Sequence, residues 1–226
     1  MLSIALTAVA AGIALVVYAL VNQESAPTPP AAVGRIEPAH PRNPGADRPP
    51  GPSSTPAAPR SRSQRPLGPS RPVHLRIPAI GVNTRVNKIG LTPNGHLAVP
   101  QPGPHLNQAA WFKNSPTPGQ PGPSIIEGHV DSVQGISVFF RLGAIRPHDL
   151  IHVRRADGIR LTFTVDGVRD YKKKHFPTRK VYGSTDAGRP ELRLITCSDF
   201  VQAIHHHIGN EVVYSHLTHI EGRHRS

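Results

Sequence analysis

The pattern of apolar and polar residues changes twice along the 226-residue chain. Residues 2–21 are almost wholly apolar, interrupted only by Ser3, Thr7, Gly12 and Tyr18. About 20 such residues match the hydrocarbon thickness of a bilayer, so residues 1–21 are read as a transmembrane anchor. A cleaved signal peptide is the rival reading, but its apolar core usually runs about 7–15 residues behind a basic segment. Nothing basic precedes this run except the amino terminus. From 22 to 72 periodicity vanishes into Pro, Ala, Ser and Arg, a composition that stays extended and disordered. From Val73 onward, short alternating runs separated by turn residues predict strands near 73–77, 82–89, 95–99, 124–129, 149–155, 159–170, 192–197 and 210–217. Pro93-Asn94-Gly95 and Asp157-Gly158 are hairpin signals. Eight strands with few helical windows predict an all-β fold, a closed or nearly closed β-barrel with short helical turns, one of them around 139–142. The expected organisation is an anchor at 1–21, a linker at 22–72, a folded domain at 73–220 and a tail at 221–226.

Composition sharpens the boundary near residue 70. Half of the 26 prolines fall between Pro27 and Pro69, and no aromatic residue occurs between Tyr18 and Trp111. Such a stretch has too little apolar surface to form a core. The net charge is +12; up to Pro72, seven Arg against Glu24, Glu37 and Asp47 give +4, so +8 belongs to the rest. A basic surface suits anionic lipid or wall polymer. No basic helix or Arg/aromatic stripe marks a nucleic-acid partner, and none is expected. Counted strictly, Arg35 and Arg42 after the apolar run, with no Lys or Arg before it, favour an inside placement of the domain.

The single cysteine, Cys197, excludes an internal disulfide. It closes the apolar run Leu192-Arg193-Leu194-Ile195-Thr196-Cys197, which places its thiol at a barrel rim. His129 closes a second run, Ser124-Ile125-Ile126-Glu127-Gly128-His129. Cys with His is the minimum for thiol catalysis, because imidazole supports the thiolate and then protonates the leaving amine. Taken alone, each is a weak signal, since the chain has 14 histidines and a strand-end Cys is usually structural. His205-His206-His207 invites a zinc reading. Neighbouring strand residues point to opposite faces, however, so three in a row do not converge on one ion. Neither a metal nor a cofactor is expected, and no acidic cluster suggests calcium.

Between about residues 75 and 217 the chain resembles a sortase, with the class E/F type of Gram-positive cell surfaces as the best match. The resemblance rests on Arg76-Ile77-Pro78-Ala79-Ile80-Gly81-Val82, Gly128-His129-Val130-Asp131-Ser132 and Val138-Phe139-Phe140-Arg141-Leu142-Gly143. It continues through Phe176-Pro177-Thr178, Val181-Tyr182-Gly183 and the run ending at Cys197, in order along the chain. It implies an eight-stranded sortase barrel, a single-pass membrane anchor and an extracellular catalytic domain. It also implies cleavage of a Leu-Pro-x-Thr-Gly-like sorting motif between Thr and Gly, through a Cys acyl-enzyme. The partners implied are substrate proteins with a C-terminal sorting motif and an amine acceptor on a peptidoglycan precursor or pilin. On the family pattern Cys197 is the nucleophile and His129 the acid/base, with Thr196, Asp131 and His207 as supporting candidates. The family's last-strand Arg has no identified counterpart. With Asn210 aligned to the family's Asn, Ile208 stands at the Arg position, and no Arg occurs between Cys197 and Arg223. Ser198-Asp199 also replaces the usual Gly-Gly. His207, Arg193 and the backbone amides of 198–200 are the candidate donors in its place. The alternative is a non-catalytic or weakly active sortase-like barrel that binds peptide or wall polymer. A hydrolase built on His129, Asp131 and Ser132 is disfavoured, because consecutive strand-end residues do not easily form a triad.

Overall fold

Strand alternation is plainest in the segment Arg160–Lys172, where Leu161, Phe163 and Val165 are buried and Thr162, Thr164 and Asp166 are less so. A strand buried on one face must find partners that bury the same face, and here the solution is closure. The computed structural model describes residues 26–27, 67–132, 135–184 and 188–222. Eight strands form a closed barrel: β1 (Pro72–Ile77), β2 (Val82–Ile89), β3 (Ala109–Phe112), β4 (Gly122–Glu127), β7 (Leu150–Arg155), β8 (Arg160–Lys172), β9 (Pro190–Val201) and β10 (His206–Glu221). Their order round the barrel is β1-β2-β3-β4-β9-β10-β8-β7, and β7 pairs back to β1. A separate two-residue pair, β5 (Asp131–Ser132) and β6 (Gly135–Ile136), follows β4. The β2–β3 and β4–β9 pairs are parallel and the others antiparallel. Leu75, Ile77, Ile126, Phe163, Leu192, Leu194 and Val213 meet in the interior.

The expected eight-stranded all-β barrel is therefore present, with one strand differently placed. Residues 95–99 contribute a single bridge, Leu91 to Leu97, in place of a strand. The Pro93-Asn94-Gly95 turn does form, with Gly95 at φ 77° and its N–H on the Thr92 carbonyl. Pro100, Pro102 and Pro104 then lack the N–H groups a ladder needs. The missing strand is Ala109–Phe112, which joins β2 in parallel. The Asp157-Gly158 hairpin forms between β7 and β8 as expected, with Gly158 at φ 82°. The expected turn near 139–142 appears as a 3-10 turn at Leu142–Ala144.

The proposed anchor lies outside the described residues, as does most of the proposed linker. Among the described residues no helix is long and apolar enough to cross a membrane. The segment leading into β1 is fastened to the barrel by Arg155, which is 2% exposed. Its guanidinium donates to the Pro118 carbonyl, to the Gly68 carbonyl at 2.8 Å and to Asp157 at 2.6 Å.

Candidate active site

The outer face of β4, β9, β10 and β8 carries the candidate chemistry, and strand alternation determines which residues reach it. In β9, Leu192 and Leu194 point into the barrel, so Arg193, Ile195 and Cys197 point out. Cross-strand partners share a face: Val212 stands beside Ile195 and Asn210 beside Cys197. On the other side, β4 pairs with β9 up to Glu127 opposite Ile195. Two residues past Glu127 the chain returns to the same face, which brings His129 level with Cys197. A short helix, α1 (Thr178–Tyr182), covers this outer face by burying Val181 among Ile125, Ile195, Val212 and Tyr214.

Thr196 and Gly128 hold the two strand ends together. The buried Thr196 hydroxyl donates to the Gly128 carbonyl at 2.9 Å, and the Gly128 N–H donates to the Ile195 carbonyl at 3.2 Å. A Cβ on Gly128 would stand 2.6 Å from Val138 Cγ1 and 2.9 Å from Phe139 Cδ2, so only glycine fits beside those side chains. His129 Nε2 lies 2.8 Å from the Pro100 carbonyl. A carbonyl accepts only, so Nε2 carries the proton, and the other nitrogen of a neutral ring is the acceptor.

Cys197 is half-buried where two cavities meet. The smaller, about 160 Å³, is walled by Leu97, Val99, Phe176 and Tyr182 and also reaches His129 and Asn210. The larger, about 720 Å³, runs past Phe139 and Phe140 to Asp131, His207 and Glu211. Ala26 and Pro27 lie against it, and a Cβ on Gly143 would collide with the Pro27 carbonyl. Two supporting candidates come together here: His207 Nε2 meets the Asp131 carboxylate at 3.0 Å. Arg193 does not reach Cys197, being paired with Glu191 at 2.8 Å and set 4.4 Å over the Tyr214 ring. Ser132 sits in β5 and lines the larger cavity.

Burial pushes the Cys197 thiol up; the positive charge of Lys173 pulls it down, and the charges of Glu127 and Asp131 push it up again. Glu127 is itself pushed up to about 8 by burial alone. Glu211, across from Thr196, is pushed up to about 8 by burial and then by Asp170. Both carboxyls are therefore largely protonated at neutral pH, which limits the negative field at the sulfur. The motifs of the chain gave no chemical role to Glu127 or Lys173, and Asn210 served only to align the last strand. Only the register of the folded sheet shows that Tyr171, Asn210 and Cys197 lie abreast on three strands. Among the described residues no cluster of three or more His, Cys, Asp or Glu could hold a metal ion.

A sortase domain model matches residues 75–218. No protein of curated function matches the chain. Among solved structures, the fold is similar to sortase A from Corynebacterium diphtheriae, at 18% identity and a TM-score of 0.50 over 69% of this chain and 64% of that one. It is also similar to sortase C-1 from Actinomyces oris, at 17% identity and a TM-score of 0.50 over 64% and 72% of the two chains. Sortase C from Streptococcus pneumoniae matches at 14% identity and a TM-score of 0.51, over 67% and 69%. At these identities the likeness concerns the fold, and the chain spans under two thirds of the Corynebacterium protein. The domain match covers more than half of the chain, and its strand order closes the same kind of barrel as its structural neighbours: the chain belongs to the sortase family.

Proposed function

We propose that this chain is a cysteine transpeptidase that cleaves a Leu-Pro-x-Thr-Gly-like sorting motif between Thr and Gly. The observation that carries the reading is the placement of Cys197 and His129 on one small cavity of a sortase barrel. The Cys197 sulfur attacks the Thr carbonyl carbon after its proton passes to His129. The C–N bond to Gly breaks, and His129 returns the proton to the leaving amine, leaving a thioester. An amine acceptor on a peptidoglycan precursor or pilin then attacks the thioester, the thiol is released, and an amide forms. The Asn210 amide, across from Cys197, and the backbone N–H groups of 198–200 are the neutral donors for the carbonyl oxygen. The domain lies outside the cell membrane, held by the 1–21 anchor.

Cleavage of a sorting-motif peptide tests the reading. Cys197→Ala is expected to abolish it, and His129→Ala to lower it by about 10²–10⁴. Equal rates in wild type and Cys197→Ala would refute the assignment. For the topology, protease added to intact protoplasts is expected to digest the chain beyond residue 22, and full protection would contradict the placement.

A second reading, a weakly active or binding-only barrel, draws on two observations. Burial holds the resting thiol above its ordinary range, and Ile208 supplies no donor at the family's Arg position. Peptide binding without any acyl-enzyme would favour it.

A further inference from the structure

The two cavities that meet at Cys197 differ in character. The smaller has the apolar walls Leu97, Val99, Phe176 and Tyr182 and one carboxyl, Glu127, which suits the Leu-Pro end of a sorting peptide. The larger is lined by Asp131, Asp199 and Glu211 and, among the described residues, by no Lys or Arg, in a chain of net charge +12. Two of its three carboxyls have partners. Asp199 accepts from Lys172 Nζ at 2.8 Å, and Asp131 from His207 Nε2 at 3.0 Å. Glu211 is different: it is 3% exposed, and its Oε1 has no hydrogen-bond partner among the described residues. Its neighbours across the sheet offer no cation, being Thr196 on β9 and Asp170 on β8. A buried carboxyl left in this state costs stability unless a ligand completes it. Gly143 shows where the carboxyl lies. A Cβ built there would stand 2.7 Å from Glu211 Oε2 and collide with the Pro27 carbonyl. Gly143 and Pro27 both line the larger cavity, so the carboxyl borders that space.

We infer that the larger cavity is the acceptor site, that it takes a primary ammonium on an aliphatic stem (a lysine-like side chain), and that Glu211 is the carboxyl that holds the nitrogen. The inference rests on the transpeptidase reading for the reaction and adds the place where the second substrate binds. Entry by this cavity leaves the smaller one to the Leu-Pro end of the acyl-enzyme, and the two substrates meet at the sulfur from two sides. Phe139 and Phe140 give the stem an apolar wall. Ala26 and Pro27 bring no charge to the cavity, so the chain itself leaves the need of Glu211 for a cation unmet. The ammonium loses two protons on the way to the amide. One passes to the Glu211 carboxylate and from there to water. The nitrogen lone pair then forms the C–N bond, and the electrons of the broken C–S bond stay with sulfur. The second proton goes through His129 to Cys197. Burial, which pushes Glu211 up to about 8, makes it a stronger base for the first of these transfers than an ordinary carboxylate.

The test is calorimetric binding of Nα-acetyl-lysine amide to the whole protein, which needs no turnover. Wild type is expected to bind this probe saturably. Nα-acetyl-norleucine amide, which has the stem without the charge, is expected to bind about tenfold or more weakly. Glu211→Gln is expected to weaken the lysine probe by about tenfold or more, because removing one partner of a buried charge pair is costly. Glu221→Gln, which changes an exposed carboxyl at the far end of β10, is expected to bind as wild type does. The inference is overturned by any of three results: no saturable binding to wild type, equal binding of the two probes, or wild-type binding by a folded Glu211→Gln protein. In turnover, Glu211→Gln is expected to lose about tenfold in capture of the acyl-enzyme by the lysine probe relative to capture by hydroxylamine, which is uncharged at neutral pH. An unchanged ratio would contradict a site that selects for charge. The two readings fail separately. A protein that binds the lysine probe through Glu211 and never acylates sinks transpeptidation, whereas one that acylates and binds the probe without regard to Glu211 sinks the acceptor site alone.

Discussion

The two ends of β8 are built on opposite principles. Near Arg160, where the barrel receives the incoming chain, every nitrogen of the buried Arg155 guanidinium donates a hydrogen bond. It donates to two carbonyls and a carboxylate, and the Asp157 carboxylate also accepts from the Ile159 N–H at 3.2 Å. Near Lys172, where β8 runs past Asn210 towards Cys197, burial has outrun pairing. Among the described residues, Glu127 Oε1, Glu211 Oε1 and His207 Nδ1 are buried with no hydrogen-bond partner, and all three residues line the cavities that meet at Cys197. Unpaired buried polar groups cost stability, so their concentration at one rim marks the region where something other than stability has shaped the chain. The Arg155 end secures the barrel, and the Cys197 end leaves polar atoms open to a ligand.

Breaking the secure end should have the larger effect on stability. Arg155→Met leaves the Pro118 and Gly68 carbonyls without their donor and Asp157 without its cation, a loss of about 3 kcal/mol in chemical unfolding. Peptide cleavage per folded molecule is expected to stay within twofold, because Arg155 touches neither cavity. A large fall in cleavage at unchanged stability would erase the contrast between the two ends.

Relieving the unpaired end should stabilise. Glu127 and Glu211 are both held near 8 by burial, above the unfolded value of 4.5. A carboxyl raised on folding binds its proton more tightly in the native state. Its favourable contribution is complete below pH 4.5 and is lost as pH rises through 8. Glu127→Gln and Glu211→Gln remove that loss. Each is expected to gain up to about 3 kcal/mol over wild type at pH 7, with the difference vanishing below pH 4. Melting temperatures measured from pH 4 to 8 check this, and a pH-independent difference would contradict the protonated carboxyls.

A smaller effect separates positioning from packing at the rim. Thr196→Val keeps the volume but removes the hydroxyl that holds the Gly128 carbonyl. A loss of about 1 kcal/mol in stability is expected. Cleavage is expected to drop by about tenfold, because misplacing a reacting group is costly. Unchanged cleavage would mean that Thr196 only fills space.

Much of this was legible in the chain. Alternation at 82–89 and in 159–170, with Asp157-Gly158 between two such runs, marked strands that the barrel contains. The strand Ala109–Phe112 was not legible, because Ala109 and Ala110 carry no strand signal and its partner β2 lies beyond a 19-residue connection rich in proline. Strand β9 also runs on to Val201, past the expected end at Cys197, because β10 pairs with it up to His206. Cys197 and His129 stood out through the family's motifs. The place of Asn210 beside Cys197 did not, since it depends on a strand pairing that no local pattern records. Asp131 and His207 were each singled out, but their contact across 76 residues exists only in the fold.

The central claim is that Cys197 forms a thioester with a sorting peptide, and intact-protein mass spectrometry tests it directly. Wild-type protein incubated with Leu-Pro-x-Thr-Gly peptides is expected to gain the mass of the Leu-Pro-x-Thr acyl group on Cys197. Hydroxylamine should release the adduct, and Cys197→Ala should show none. A wild-type protein that stays unmodified under conditions where the peptide binds, or an equal adduct on Cys197→Ala, would contradict the account.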